Sequence, residues 1–231
     1  MSKAYEEMVI KALPLVRPEE AVPGPISVDK TVLELSPTLE QAGFGESMAI
    51  LGHFGEGRVL AVAHDAFVAE KPGGNELFLE FGLRWLTVGS QTNEILYTVG
   101  HCETISESAN PTYRIAIPAI RDLGFEVGSI GDLTELNQPD LDGVVLIVGN
   151  AWSSFEDAEI QAAGRFVAEG GQILLVGLEW SWNDYRRDDG FNPCSFNPHS
   201  SAREKEIERY PMNALGEQFG ITYSPGVLNI Q

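Results

Sequence analysis

The sequence predicts an α/β fold, an open and mainly parallel sheet preceded by a β-rich extension. Three observations carry this. From Glu94 onward, short apolar strands alternate with amphipathic helical stretches at the spacing of right-handed crossovers. Val144–Val148 is an unbroken apolar run, the signature of a strand buried on both faces. Before residue 93 the pattern differs: alternating strand-like segments, a glycine-punctuated hairpin and a single helix. The reading therefore divides the chain into a β-rich extension with a packing helix over 1–92 and an α/β domain over 93–231.

The elements follow in order. Ala4–Leu13 suits a short helix, and Pro14, Pro18, Pro23 and Pro25 then impose an extended entry, because proline fixes φ and removes a donor. Ile26–Leu35 alternates as one strand or two edge strands. Ser47–His53 and Arg58–Ala63 read as a hairpin turned at Phe54-Gly55-Glu56-Gly57. Leu77, Phe78, Phe81, Trp85 and Leu86 share one face of a helix over 75–86. Ile95–Val99 is the next strand. A helix over 110–123 is predicted, with Pro111 in its first turn and Gly124 as its stop. Strands at Phe125–Ser129 and Val144–Val148, an amphipathic helix over 155–169 and a strand at Ile173–Val176 follow. Residues 178–209 read as a long polar loop. A helix over 210–219 and a strand over 220–223 end the pattern. This alternation is that of a flavodoxin-like sheet.

Charge excludes some partners. The chain has 231 residues, with 34 acidic against 15 basic side chains and a net charge of −19. Such a field repels nucleic-acid phosphates and anionic lipid, so neither nucleic acid nor membrane insertion is expected. Nor does any segment have the length and apolarity of a membrane span. The two cysteines, Cys102 and Cys194, lie far apart in the sequence and are read as free thiols in a reducing compartment, with one disulfide as the alternative. Met1–Ile10 lacks an apolar signal-like core, which points to a cytoplasmic protein.

In an open α/β sheet, chemistry gathers beyond the carboxyl ends of the strands. A nucleophile there would lie about two residues past the turn glycine. After Ile173–Val176 the turn is Gly177 and that place is held by Glu179. A carboxylate cannot perform thiolate chemistry.

Several segments together resemble a known family. They are Gly55-Glu56-Gly57-Arg58-Val59-Leu60-Ala61-Val62-Ala63-His64, the stretch from Asn75 to Arg84-Trp85-Leu86, and Phe166-Val167-Ala168-Glu169-Gly170-Gly171. Trp180-Ser181-Trp182 and Tyr210-Pro211-Met212-Asn213-Ala214-Leu215, running on to Phe219-Gly220-Ile221, complete the set. In this order and spacing they resemble the glutamine-amidotransferase-like domain of the TRP-channel-associated factors, related to domains that precede enhancin-like mucin peptidases. The resemblance implies a class I amidotransferase-like scaffold. The chain departs from it in having no zinc-binding His-Glu-x-x-His helix and no evident Cys-His-Glu triad, which implies a degenerate site.

Candidate residues follow. Gly100-His101-Cys102-Glu103 leaves the strand at Ile95–Val99 and offers nucleophile, imidazole and carboxylate side by side, making Cys102, His101 and Glu179 the catalytic candidates. Adjacent residues seldom face one another, so a buried structural cysteine is the alternative. Trp152, Trp180, Trp182 and Tyr185, with His64, are the ligand-binding candidates, since rings at the carboxyl edge can stack on sugars or anchor a partner. Burying a large apolar ring is worth about 2–3 kcal/mol, so the same rings can instead pin the loop. Trp180 and Trp182 would share one side if their segment were extended. His64-Asp65, His101, Glu179 and His199 lack metal-ligand spacing, so neither metal nor cofactor is expected. The leading function is a non-catalytic binding or scaffold module for a protein or glycan. The alternatives are a small cysteine-dependent hydrolase or amidase using Cys102, and a carbohydrate-binding accessory domain.

Overall fold

A computed structural model describes residues 24–35, 48–69, 76–107, 115–137, 141, 143–185, 194 and 209–227. The strands are β1 (Ile26–Val28), β2 (Glu34–Leu35), β3 (Ala49–Phe54), β4 (Gly57–Val62), β5 (Glu94–Thr98), β6 (Glu126–Ile130), β7 (Val145–Val148), β8 (Gln172–Val176) and β9 (Ile221–Tyr223). The helices are α1 (Glu76–Leu86), α2 (Ile117–Asp122), α3 (Asp157–Ala168), α4 (Glu179–Tyr185) and α5 (Pro211–Gly216).

Seven strands form one sheet in the order β2-β3-β4-β8-β7-β5-β6. The strands from β4 to β6 in that order run parallel, and β3 and β2 extend the sheet antiparallel. The hairpin of the N-terminal segment thus continues the main sheet: β4 lies against β8 with Arg58 beside Gln172 and Val62 beside Val176. β1 and β9 pair separately, Ile26 opposite Tyr223. Every residue of β7 and β8 is buried, as their apolar runs require. One face of the sheet (Val59, Ala61, Leu146, Ile173, Leu175) packs with α3 and α5 through Phe166, Val167, Met212 and Leu215. The other (Leu60, Val62, Ile95, Ile147, Leu174) packs with α1 and α2 through Phe78, Leu83, Trp85 and Ile120.

Two expectations need correction. The helix predicted from residue 110 is described only from Ile117. Ile115 forms a bridge to Ala69, and Pro118 occupies the first helical turn, where its missing N–H costs nothing. Residues 110–114 lie outside the described residues, as do Ala4–Leu13 and the first three of the four prolines. The second correction is in the 178–209 loop, whose first part is helical. Glu179 starts α4 three residues after the end of β8, its carboxylate favoured at the positive end of the helix. Residues 186–193 and 195–208 lie outside the described residues, His199 among them.

Candidate functional site

Four parallel strands end at one edge of the sheet, and their exits carry the candidate residues. β4 leads into His64-Asp65, β8 into Gly177-Leu178-Glu179, β7 into Asn150-Ala151-Trp152, and β5 into His101-Cys102-Glu103. Tyr210 joins two of these exits. Its hydroxyl accepts the Leu178 N–H at 2.6 Å and donates to Asn150 Oδ1 at 2.5 Å. Burial pushes this phenol well above its ordinary pKa; the negative fields of Tyr223, Glu179 and Asp65 add to it, against the opposing pull of the Leu178 N–H. Tyr210 therefore keeps its proton and can serve both partners.

The β5 exit is closed around a buried charge cluster. His101, Glu103 and Glu159 are all essentially inaccessible. His101 Nε2 lies 3.1 Å from Glu159, and Nδ1 lies 3.4 Å from Glu103 Oε1. Glu103 Oε2 also accepts the His101 N–H at 2.9 Å, and the His101 carbonyl accepts the N–H groups of Trp152 and Ser153 at 2.9 Å. The Phe155 ring covers the imidazole at 4.2 Å. Desolvation is the largest single influence on His101 and pulls its pKa down. The hydrogen bonds and charges of Glu103 and Glu159 together outweigh it and hold the pKa above the usual histidine value.

Glu159 has a second task. It is the third residue of α3 and accepts the Glu156 N–H at 2.9 Å, completing a reciprocal capping box. It also accepts the Leu133 N–H at 3.3 Å. One carboxylate thus fixes the start of α3, the turn after β6 and the exit of β5. Sequence reasoning passed over Glu159, Tyr210 and Asn150. The glutamate three residues after Glu156 was the legible signal for the first; the other two act through long-range contacts that no local spacing encodes.

Cys102 is bonded to Cys194, with Cα atoms 4.7 Å apart, inside the normal disulfide range. This corrects the expectation of two free thiols, and the compartment inferred from them loses that support. Among the described residues Cys102 is the one non-glycine with φ in the left-handed region, at 54°. Two residues earlier, Gly100 approaches the Gly131 carbonyl so closely that no Cβ would fit. His101, although adjacent, turns its two ring nitrogens to carboxylates rather than to the sulfur. The geometry holds an ion cluster and a cross-link here, with no thiolate–imidazole pair.

The β8 exit has the form of a strand-to-helix elbow. A Cβ at Gly177 would strike the Tyr223 ring, so glycine is required for this packing. Glu179 accepts a long 3.4 Å hydrogen bond from Asn213 Nδ2. The same amide donates to the Tyr223 carbonyl at 2.9 Å, and its oxygen accepts the Tyr223 N–H at 2.7 Å. Asn213 thus ties β9 to the elbow. His64 Nδ1 accepts the Ala66 N–H at 3.0 Å and caps the short 3-10 turn after β4, with Asp65 Oδ1 2.7 Å away.

The aromatic candidates separate. Trp152 and Trp182 are buried, Trp180 is half-buried, and Tyr185 is exposed. Because α4 is a helix, residues two apart point to different sides, so Trp180 and Trp182 do not form the same-side pair expected of an extended segment. Trp182 packs on Tyr210 at 5.6 Å and Trp152 on Tyr185 at 5.9 Å. Among the described residues, no group of three or more His, Cys, Asp or Glu side chains is placed to hold a metal ion, and no helix is long and apolar enough to cross a membrane.

The chain is a distant homologue of TRPM8 channel-associated factor 2. It is 27% identical to that Bos taurus protein over 176 residues. The match takes in 76% of this chain and 15% of the channel-associated factor, so the chain spans a small part of its relative's length. No protein-family model matches. Among solved structures, the fold is similar to part of the IMPa metallopeptidase. The TM-score is 0.54 at 14% identity to its complex with T-antigen, covering 96% of this chain and 22% of the peptidase. The Pseudomonas aeruginosa enzyme with an O-glycopeptide gives a TM-score of 0.52 at 15% identity over the same shares. At these identities the likeness concerns the fold. The expected resemblance to channel-associated factors has its counterpart in the first comparison, and that to a peptidase-linked domain in the second.

Proposed function

We propose that the chain is a non-catalytic binding or scaffold module, built on a flavodoxin-like scaffold of the class I glutamine-amidotransferase type. One observation carries the reading. At the β8 elbow, the position for a nucleophile is held by Glu179, which starts α4 and is bonded to Asn213. The rival elbow supports the same reading, since the Cys102 sulfur is bonded to Cys194, His101 Nε2 is bonded to Glu159 and Nδ1 faces Glu103. The exits are spent on internal packing, as in a scaffold whose chemistry has been lost and whose surface does the work.

The surface favoured for contact is α4, where exposed Tyr185 lies against the buried Trp152 and Trp180 is half-buried. An aromatic surface of this kind can anchor a protein side chain or stack on a sugar. The glycan form of the reading is favoured by the fold shared with IMPa, solved with T-antigen and with an O-glycopeptide. Titration of the protein with T-antigen disaccharide and with an O-glycopeptide, followed by tryptophan fluorescence, tests it. A saturable change that disappears in Tyr185→Ala supports glycan binding. A flat response to both ligands removes the glycan form and leaves a protein partner.

A further inference from the structure

The seven-stranded sheet ends differently on its two sides. One edge is β2, only two residues long, and so short a strand offers little to a partner. The other is β6, five residues long, without the proline or lysine that commonly guards an edge. The Glu126 N–H donates to the Asn93 carbonyl, and the Ile130 carbonyl accepts the Val99 N–H, both at 3.0 Å. Alternate residues of a parallel strand turn to the same neighbour, so Glu126, Gly128 and Ile130 bond toward β5. Val127 and Ser129 turn their backbone N–H and C=O groups outward, where no described residue meets them. Val127 is half-buried and Ser129 is exposed, so this edge is open to solvent.

These outward groups match a second copy of the same strand. About a two-fold axis through Gly128 and perpendicular to the sheet, two β6 strands run antiparallel. Val127 then lies opposite Ser129 of the second copy, and each such pair exchanges both N–H and C=O groups, which leaves none of them unmet. Gly128 faces its own copy in the pair without hydrogen bonds, where Cα atoms approach to about 4.5 Å. A register shifted toward Phe125 leaves the Ser129 carbonyl unmet, because Phe125 gives its N–H to the Ile120 carbonyl.

Charge fits the same register. Glu126, the one charged residue of β6, falls opposite Ile130 of the second copy. The two Glu126 residues are then separated along the ribbon by roughly 14 Å. That exceeds the screening length of roughly 8 Å in physiological salt. The net charge of −19 on each copy still opposes association, so the contact strengthens as salt is added. A contact of one short strand belongs to the weak class of interfaces, below about 1,200 Å².

We propose that β6 is a homodimerisation edge, through which two copies of the chain join antiparallel at Val127 and Ser129 into one continuous sheet. This rests on the edge alone and is independent of the proposed function of the carboxyl edge.

The test is sedimentation equilibrium of the full chain over a range of protein and salt concentrations, with amide hydrogen exchange on the same samples. The expected result is a mass that rises with concentration from 25.2 kDa toward twice that value. The dissociation constant should fall at least tenfold between about 0.05 M and about 0.5 M salt. The Val127 and Ser129 amides should slow in step with the dimer fraction, while those of Glu126, Gly128 and Ile130 stay unchanged. Ser129→Pro removes an outward donor and no bond to β5, and should weaken dimerisation at least tenfold. Ser129→Lys probes the edge without a proline. It lowers the net negative charge, which by itself favours association, yet a lysine on the edge should weaken the dimer. A chain that stays at 25.2 kDa throughout, a dimer that forms equally in both variants, or protection that does not alternate along β6 would overturn the proposal. So would a monomer with Val127 and Ser129 already protected, which would assign the edge to another segment of the same chain.

Discussion

His101 Nε2 sits 3.1 Å from Glu159 with both side chains fully buried, which joins the exit of β5 to the first turn of α3. Breaking a buried pair by removing one partner costs roughly 3–5 kcal/mol, because the other charge is left uncompensated. Glu159→Ala also removes the capping contact to Glu156 and the bond to the Leu133 N–H. The unfolding free energy of this variant should fall by about that amount, measured by urea denaturation. A loss below about 1 kcal/mol, the size of a surface pair, would contradict this account of the cluster.

The same cluster sets a pH dependence. The pKa of His101 is raised in the folded chain above its ordinary 6.5, so folding favours the protonated ring. This contribution is fully present below about pH 6.5 and is lost as the pH rises through the folded value. Stability should therefore decline on the alkaline side in the parent and decline less in Glu159→Gln, where the Glu159 charge is gone. Identical slopes in the two proteins between pH 6 and 9 would show that His101 does not titrate as described.

The Cys102–Cys194 link closes a loop with a sequence separation of 92 residues. Disulfides typically contribute on the order of 2–4 kcal/mol, and a loop of that span lies at the upper end. Reduction, or the double variant Cys102→Ser/Cys194→Ser, should lower the urea midpoint accordingly. Mass spectrometry after alkylation without reductant should find neither thiol modified. Two alkylated cysteines in the unreduced protein would refute the pairing.

Much of the fold was legible in the sequence, and the reasons are local. The β3–β4 hairpin was marked by its turn glycines, β7 by its apolar run, and the stop of α2 by Gly124, whose φ is +94°. What was not legible depends on distant partners. Nothing near Cys102 announces Cys194, and the loop reading of 178–185 failed because the start of α4 is favoured by the charge of Glu179 at the end of β8 rather than by a hydrophobic period. Arg58 likewise finds its acceptors far along the chain, in the carbonyls of Leu86 and Val88 at the end of α1.

Asn213 gives a further test of such long-range ties. Its two shortest bonds clasp the backbone of Tyr223. Asn213→Leu should speed hydrogen exchange chiefly at Tyr223 and across β1 and β9. Each lost bond weighs about 0.5–1.5 kcal/mol, with a further penalty for the buried Tyr223 groups left unpaired. Unchanged exchange in β9 would assign the residue another role.

The central claim is that the carboxyl edge binds without catalysing, and the most direct measurement is ammonia release from glutamine by the oxidised and by the fully reduced protein. The account predicts no turnover above background in either state, since Glu179 holds the elbow and His101 is held by two carboxylates. Robust hydrolysis that appears on reduction and disappears in Cys102→Ser, or that disappears in Glu179→Ala, would contradict it.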